Sequence, residues 1–164
     1  MNKTRRLTTY ALLIALALVL SYVESLVPAF FAVPGMKLGL TNIVVVVALY
    51  KLGGPSAFAI NMVRIILVAA LFGNAASLLY SLAGGLLSFF VMALLKRTGR
   101  VSILVVSLCG GIFHNVGQIL MAMLLLYTAA VGYYLLLLWF TGLVTGLVIG
   151  LISYEILVRL PGEL

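Results

Sequence analysis

PAFFAVPGMKLGLTN, residues 28–42, is the one long stretch of this chain that reads as non-helical, and the fold follows from what lies on either side of it. Pro28, Pro34, Gly35 and Gly39 interrupt any regular helix there. The apolar run that follows, residues 40–52, would rise only ~20 Å as a helix, against a hydrocarbon core of ~30 Å. Another segment must fill the missing depth. Irregular backbone is tolerated inside a bilayer only where protein or a water-filled cavity surrounds it. The stretch therefore predicts a re-entrant loop over an enclosed polar pocket, and that pocket is the expected functional site.

Composition sets the class. Of 164 residues, 65% are apolar and 8% charged, with a mean hydropathy of +1.33, far from the usage of soluble domains. The expected fold is all-α: an integral membrane bundle of six transmembrane helices in a single domain, residues 1–164. A pI of 9.9 raises the question of nucleic acid. The basic residues are scattered among span ends instead of forming one patch, which is a topology signal and excludes that partner. Cys109, the single cysteine, reads as core filler.

In chain order, a basic tip (Lys3, Arg5, Arg6) precedes an apolar run to about residue 27. A signal peptide has a shorter core and a small-residue cleavage site, so this run reads as span 1. Span 2 covers 40–52 and stops at Gly53-Gly54-Pro55; span 3 covers 56–72 and stops at Gly73-Asn74. Spans 4, 5 and 6 cover 75–95, 101–127 and 133–160. Lysine and arginine are retained on the cytoplasmic side of short loops. With both termini inside the cell membrane, Lys3, Arg5, Arg6, Lys51, Lys96, Arg97, Arg100 and Arg159 all fall inside, and Lys37 alone falls outside. The pocket is expected to open outward.

Arg64 is the strongest single signal. A guanidinium in mid-span costs ~2.5–3.5 kcal/mol on insertion scales, so it faces a partner, a cavity or a ligand. Glu155 lies four residues before Arg159 and reads as an ordinary helix-surface pair, and Glu163 sits in the tail. That leaves Glu24 or an anionic ligand as the counterpart of Arg64. Asn61 shares its helix face at i,i+3, and His114 shares one with Gln118 at i,i+4, Asn115 lying on the flank. Such residues read a polar ligand well; they also serve as interhelical glue, worth ~0.6 kcal/mol each. Lys37 with Gly39, Thr41 and Asn42 reads as an anion-facing helix start, or as a turn with a capping side chain and a snorkelling lysine. The candidate ligand-binding set is thus Glu24, Lys37, Asn42, Asn61, Arg64, His114, Asn115 and Gln118, with aromatics such as Tyr22, Phe30, Phe31, Tyr80, Tyr133, Tyr134 and Trp139 suited to a flat ring. No metal or other cofactor is expected, since the chain has one histidine, one cysteine and no aspartate.

Two small-residue stripes concern packing. Gly142, Gly146 and Gly150 permit close backbone contact along span 6, and Ala11 and Ala15 form a similar face on span 1 that can dock another membrane helix.

The runs VPGMKLGLTN (33–42) and FHNVGQ (113–118), the basic start KTRRL (3–7) and the six spans resemble the membrane family labelled heptaprenyl diphosphate synthase component I, also called the Gx transporter family, over nearly the whole chain. More distantly, the short span 2, the outward loop and Ala11-Leu12-Leu13-Ile14-Ala15 resemble substrate-binding S components of energy-coupling factor (ECF) transporters. That resemblance implies docking of a transmembrane coupling subunit, itself joined to ATPase subunits, on Ala11 and Ala15, and a vitamin-sized substrate held beneath the outer loop.

Polyprenyl diphosphate synthases hold magnesium and diphosphate with clustered aspartates. With no aspartate and three scattered glutamates, this chain does not supply such a site and is not expected to be an enzyme. It also lacks an ATP-binding Gly-x-x-x-x-Gly-Lys-Ser/Thr loop, so energy must come from a partner or a gradient. Two readings stay open. One is an S-component-like subunit that captures a small anionic or vitamin-like molecule; the other is an accessory membrane subunit of isoprenoid or menaquinone synthesis or of extracellular electron transfer. An enzyme of its own would have only His114 and Glu24 as acid–base groups.

Overall fold

The computed structural model describes residues 3–26, 37 and 39–160; most of the expected re-entrant loop, with Phe30 and Phe31, and the tail with Glu163 lie outside the described residues. Six α-helices follow one another, α1 (Lys3–Leu26), α2 (Asn42–Lys51), α3 (Gly54–Phe72), α4 (Ala75–Thr98), α5 (Ile103–Leu126) and α6 (Leu135–Arg159), with no strand among the described residues. Five helical segments are long and apolar enough to cross a membrane, and α2 is not. At 10 residues α2 rises about 15 Å.

The ends follow local chemistry. Pro55 sits in the first turn of α3, where its missing N–H costs nothing. Asn74 caps α4 by accepting the Ser77 N–H, and Gly99 ends it in the left-handed region at φ 66°. Ser102 caps α5 through the Val105 N–H. Span 6 was expected to begin at 133 after an outer loop; instead Ala129–Tyr134 forms a 3₁₀ helix that leads into α6. The Thr128 hydroxyl accepts the Ala130 N–H at 3.2 Å and closes that turn.

The short helix is the centre of the bundle. α2 touches every other α-helix, and each residue from Asn42 to Leu49 is buried. A sequence apolar on all sides, NIVVVVALYK, is what such a position requires. Within lipid its gain is van der Waals packing against protein, since lipid tails are as apolar as valine. By contrast, among the described helices α1 packs only on α2 and α3, leaving Leu12, Leu16, Val19 and Val23 outward.

Glycines set the closest approach, between α5 and α6. A β-carbon added to Gly111 would collide with the Gly142 carbonyl and come within 2.9 Å of the Gly146 Cα, and the Ser107 hydroxyl donates to the Gly146 carbonyl at 2.8 Å. The glycine stripe of span 6 is therefore spent on internal packing. Gly111→Ala is expected to destabilise the protein by about 1–3 kcal/mol through overpacking, read as a lower unfolding midpoint in detergent.

Basic side chains gather at one end. There Lys96 donates to the Leu49 carbonyl and lies over the Tyr50 ring, Lys51 donates to the Leu160 carbonyl, and the Tyr10 hydroxyl joins Arg6 to Ser56. Cations at helix C-termini satisfy the last carbonyls and suit the dipole. Glu155 and Arg159 form the expected surface ion pair at 3.0 Å.

Candidate functional site at the start of the central helix

A 10-residue helix at the core of a bundle leaves polar backbone in front of it, and that backbone must find partners inside the protein. Three long helices supply them. From α1, Glu24 Oε1 accepts the N–H of Gly39 and, at 3.4 Å, that of Leu40. From α3, Arg64 Nη1 donates to the Thr41 hydroxyl at 2.6 Å. From α5, the Gln118 amide pairs with Lys37 in both directions, its Nε2 donating to the Lys37 carbonyl and its Oε1 accepting the Lys37 N–H, each at 2.9 Å. Lys37 and residues 39–41 are thus held by side chains of three helices.

The acceptor at the helix start is the Glu24 side chain, whose Oε1 takes both of these N–H groups. A carboxylate accepting two N–H groups at a helix N-terminus is the charge-assisted form of capping. Thr41, read as a cap in the sequence, makes no side-chain cap bond; its hydroxyl is taken by Arg64. The first turn is instead closed tightly, with Asn42, Ile43 and Val44 donating to the carbonyls of Gly39, Leu40 and Thr41.

Arg64 and Glu24 do not pair with each other: among the described residues the only ion pair is Glu155–Arg159. The guanidinium is held by Asn61 Oδ1, at 3.0 Å from Nε and 2.8 Å from Nη2, and Asn61 Nδ2 is fixed in turn by the Gly85 carbonyl at 3.2 Å. Glu24 from α1 and Arg64 from α3 therefore hold the same short segment without forming an ion pair with each other. Lys37, outside the helices, is half-buried; burial pulls its ammonium below the ordinary lysine value, and the Glu24 carboxylate works against that shift.

His114 lies between two glycines. A β-carbon on Gly39 would sit 3.0 Å from its Cδ2 and 3.3 Å from its Nε2, and one on Gly84 would sit 3.1 Å from its Nδ1. Glu24 Oε2 and Asn42 Nδ2 have no hydrogen-bond partner among the described residues. Gly39 takes φ +87°, the region where glycine has no steric penalty.

The fold brings together Glu24, Lys37, Asn42, Asn61, Arg64, His114 and Gln118. Asn115 points elsewhere, donating to the Leu138 carbonyl at 2.6 Å and to the Thr141 hydroxyl at 3.3 Å, so it joins α5 to α6. Ala11 and Ala15 are exposed on the outer face of α1. Of the aromatics, Tyr80 is buried, whereas Tyr133 is 90% exposed and Tyr22 and Trp139 also face outward. Thr41, read in the sequence only as part of the helix start or its cap, joins the cluster as the acceptor for Arg64. Among the described residues no group of three or more His, Cys, Asp or Glu side chains could hold a metal ion.

No curated protein and no solved structure matches the chain. The family model described as heptaprenyl diphosphate synthase component I matches residues 13–156, a range that takes in every residue of the polar cluster. The chain therefore belongs to the heptaprenyl diphosphate synthase component I family.

Proposed function

We propose that the chain is the substrate-binding membrane subunit of an ECF-type uptake transporter, S-component-like in fold, lying in the cell membrane with both termini cytoplasmic. The observation that carries this reading is Arg64, 4% exposed in mid-helix, bound by hydroxyl and amide oxygens and in no ion pair among the described residues. A buried guanidinium so placed marks a functional site by default. Thr41 binds it, and Glu24, His114 and Gln118 lie against the neighbouring Lys37 and Gly39. The exposed Ala11–Ala15 face of α1 supports docking of a coupling subunit, which would bring the ATPase subunits.

Native mass spectrometry of the gently purified protein from its own host tests this. A retained small molecule together with membrane and ATPase partners is the expected result. Arg64→Leu is expected to lose the retained molecule while still inserting and folding, because removing a mid-span charge favours insertion. Undiminished retention by that variant would sink the binding role of Arg64.

The family description suits a second reading, a non-catalytic membrane accessory subunit of heptaprenyl diphosphate synthesis, which we extend to menaquinone synthesis or extracellular electron-transfer machinery. Co-purification with a soluble synthase or redox protein, and no small molecule, would select it.

A further inference from the structure

We infer that the turn joining α4 to α5, with Arg97 and Arg100, binds the headgroup of an anionic phospholipid whose acyl chains lie along the outer face of α4. Lys96 of the same turn reaches the Leu49 carbonyl near the end of α2, so this surface lies at the opposite end of α2 from the polar cluster. It is independent of the binding role proposed above.

Most cations at the basic end of the bundle are accounted for locally. Lys51, Lys96 and Arg159 lie in the last turns of α2, α4 and α6, where the helix dipole favours them. Lys51 and Lys96 also donate to backbone carbonyls, Arg159 pairs with Glu155, and Arg6 bonds Tyr10 and Ser56. Arg97 and Arg100 are different: both are exposed, and among the described residues the only ion pair is the one at Glu155. Thr98 makes the side-chain hydrogen bonds of their turn, its hydroxyl donating to the Leu95 carbonyl at 2.7 Å and accepting the Arg100 N–H at 3.4 Å. The Gly99 N–H returns to the Lys96 carbonyl at 3.1 Å. The backbone is thereby fixed, and two guanidinium groups three residues apart are left at the surface. Like charges so placed repel each other, and an anion shared by both removes that cost.

Depth and neighbours identify the anion. Phe90, Leu94 and Arg97 succeed one another at helical spacing on one face of α4, and the two apolar side chains are 60% and 67% exposed. The cation stands at the end of the span and the apolar side chains one and two turns deeper, which is the order of headgroup and acyl chain in a lipid. A soluble acidic protein comes from the water beyond the span and gains nothing from that stripe. Arginine grips a phosphate through two parallel N–H···O bonds, and basic sites at the ends of membrane helices hold anionic headgroups. A phosphodiester with net negative charge suits the pair, whereas a zwitterionic headgroup brings an ammonium that the second arginine repels.

The test is native mass spectrometry of the full chain released from micelles that hold equal amounts of phosphatidylglycerol and phosphatidylcholine with identical acyl chains. One cation at an anionic lipid surface gives a factor of about 5, so the pair is expected to enrich phosphatidylglycerol adducts about 25-fold, and added salt to erode that preference. In Arg97→Gln/Arg100→Gln the enrichment is expected to fall about 10-fold or more, whereas Arg97→Lys/Arg100→Lys keeps most of it and Lys3→Gln/Arg5→Gln all of it. Equal adducts of the two lipids on the wild-type protein, a comparison that needs no variant, would overturn the inference. So would an enrichment unchanged in Arg97→Gln/Arg100→Gln, or one lost only in Lys3→Gln/Arg5→Gln. Retention of an acidic protein through these arginines, with no lipid preference, would overturn it in favour of a protein partner.

Discussion

Glu24→Leu is expected to lower the unfolding free energy by about 3–5 kcal/mol, more than any other single substitution in the cluster. Two things are lost together. The N–H groups of Gly39 and Leu40 lose their acceptor in a place that water does not reach, and Arg64 and Lys37 lose the buried acidic side chain near them. Glu24→Gln keeps a carbonyl oxygen for the same N–H groups and is expected to cost about 1 kcal/mol, the difference between a charged and a neutral acceptor. Thermal or denaturant unfolding of the two variants side by side separates the effects. If Leu and Gln cost the same, the hydrogen bonds to residues 39 and 40 contribute nothing and only the charge matters.

Gly39→Ala comes next, at about 2–3 kcal/mol. Its φ of +87° costs an L-residue about 1–2 kcal/mol. The new methyl also lies 3.0 Å from His114 Cδ2 and 3.1 Å from Asn42 Nδ2, closer than ordinary van der Waals contact. The steric part is separable. In a His114→Ala background the same substitution is expected to cost only the conformational share, so a double-mutant cycle yields a coupling of about 1 kcal/mol. A cycle without coupling would mean that His114 does not pack on Gly39.

Much of the fold is legible in the sequence because lipid imposes strict length and charge rules. Gly53 and Gly73-Asn74 separate helices as expected, whereas Gly54-Pro55 opens α3 instead of preceding it and Lys96-Arg97 forms the last turn of α4 instead of following it; residues 40–52 read as too short to span. Less legible is where that short helix goes. NIVVVVALYK is apolar on all sides, and within a bilayer such a segment looks the same facing lipid or protein. Its central position follows from pairwise packing, which periodicity alone does not encode. The site divides in the same way. Arg64 and Glu24 stand out because each is costly in a membrane, and Gly39 because close approach needs glycine. Their partners do not stand out. Gln118 binds backbone of Lys37, 81 residues away, and Thr41 is an acceptor only because α3 brings Arg64 to it, so both depend on tertiary contacts. Asn115 and Gln118 are three residues apart on α5, yet one turns to α6 and the other to residue 37; interhelical glue and site residue have the same spelling until the neighbours are known.

Hydrogen–deuterium exchange in nanodiscs, followed at the backbone amides of Lys37, Gly39 and Leu40, measures most directly whether side chains of α1, α3 and α5 hold this segment inside the bundle. In the wild-type protein these amides are expected to exchange as slowly as those in the body of α2, and in Glu24→Leu the Gly39 and Leu40 amides are expected to exchange about 100-fold faster or more, the equivalent of ~3 kcal/mol of lost protection. Complete wild-type exchange within seconds would contradict the clamp and leave the start of the central helix open to water.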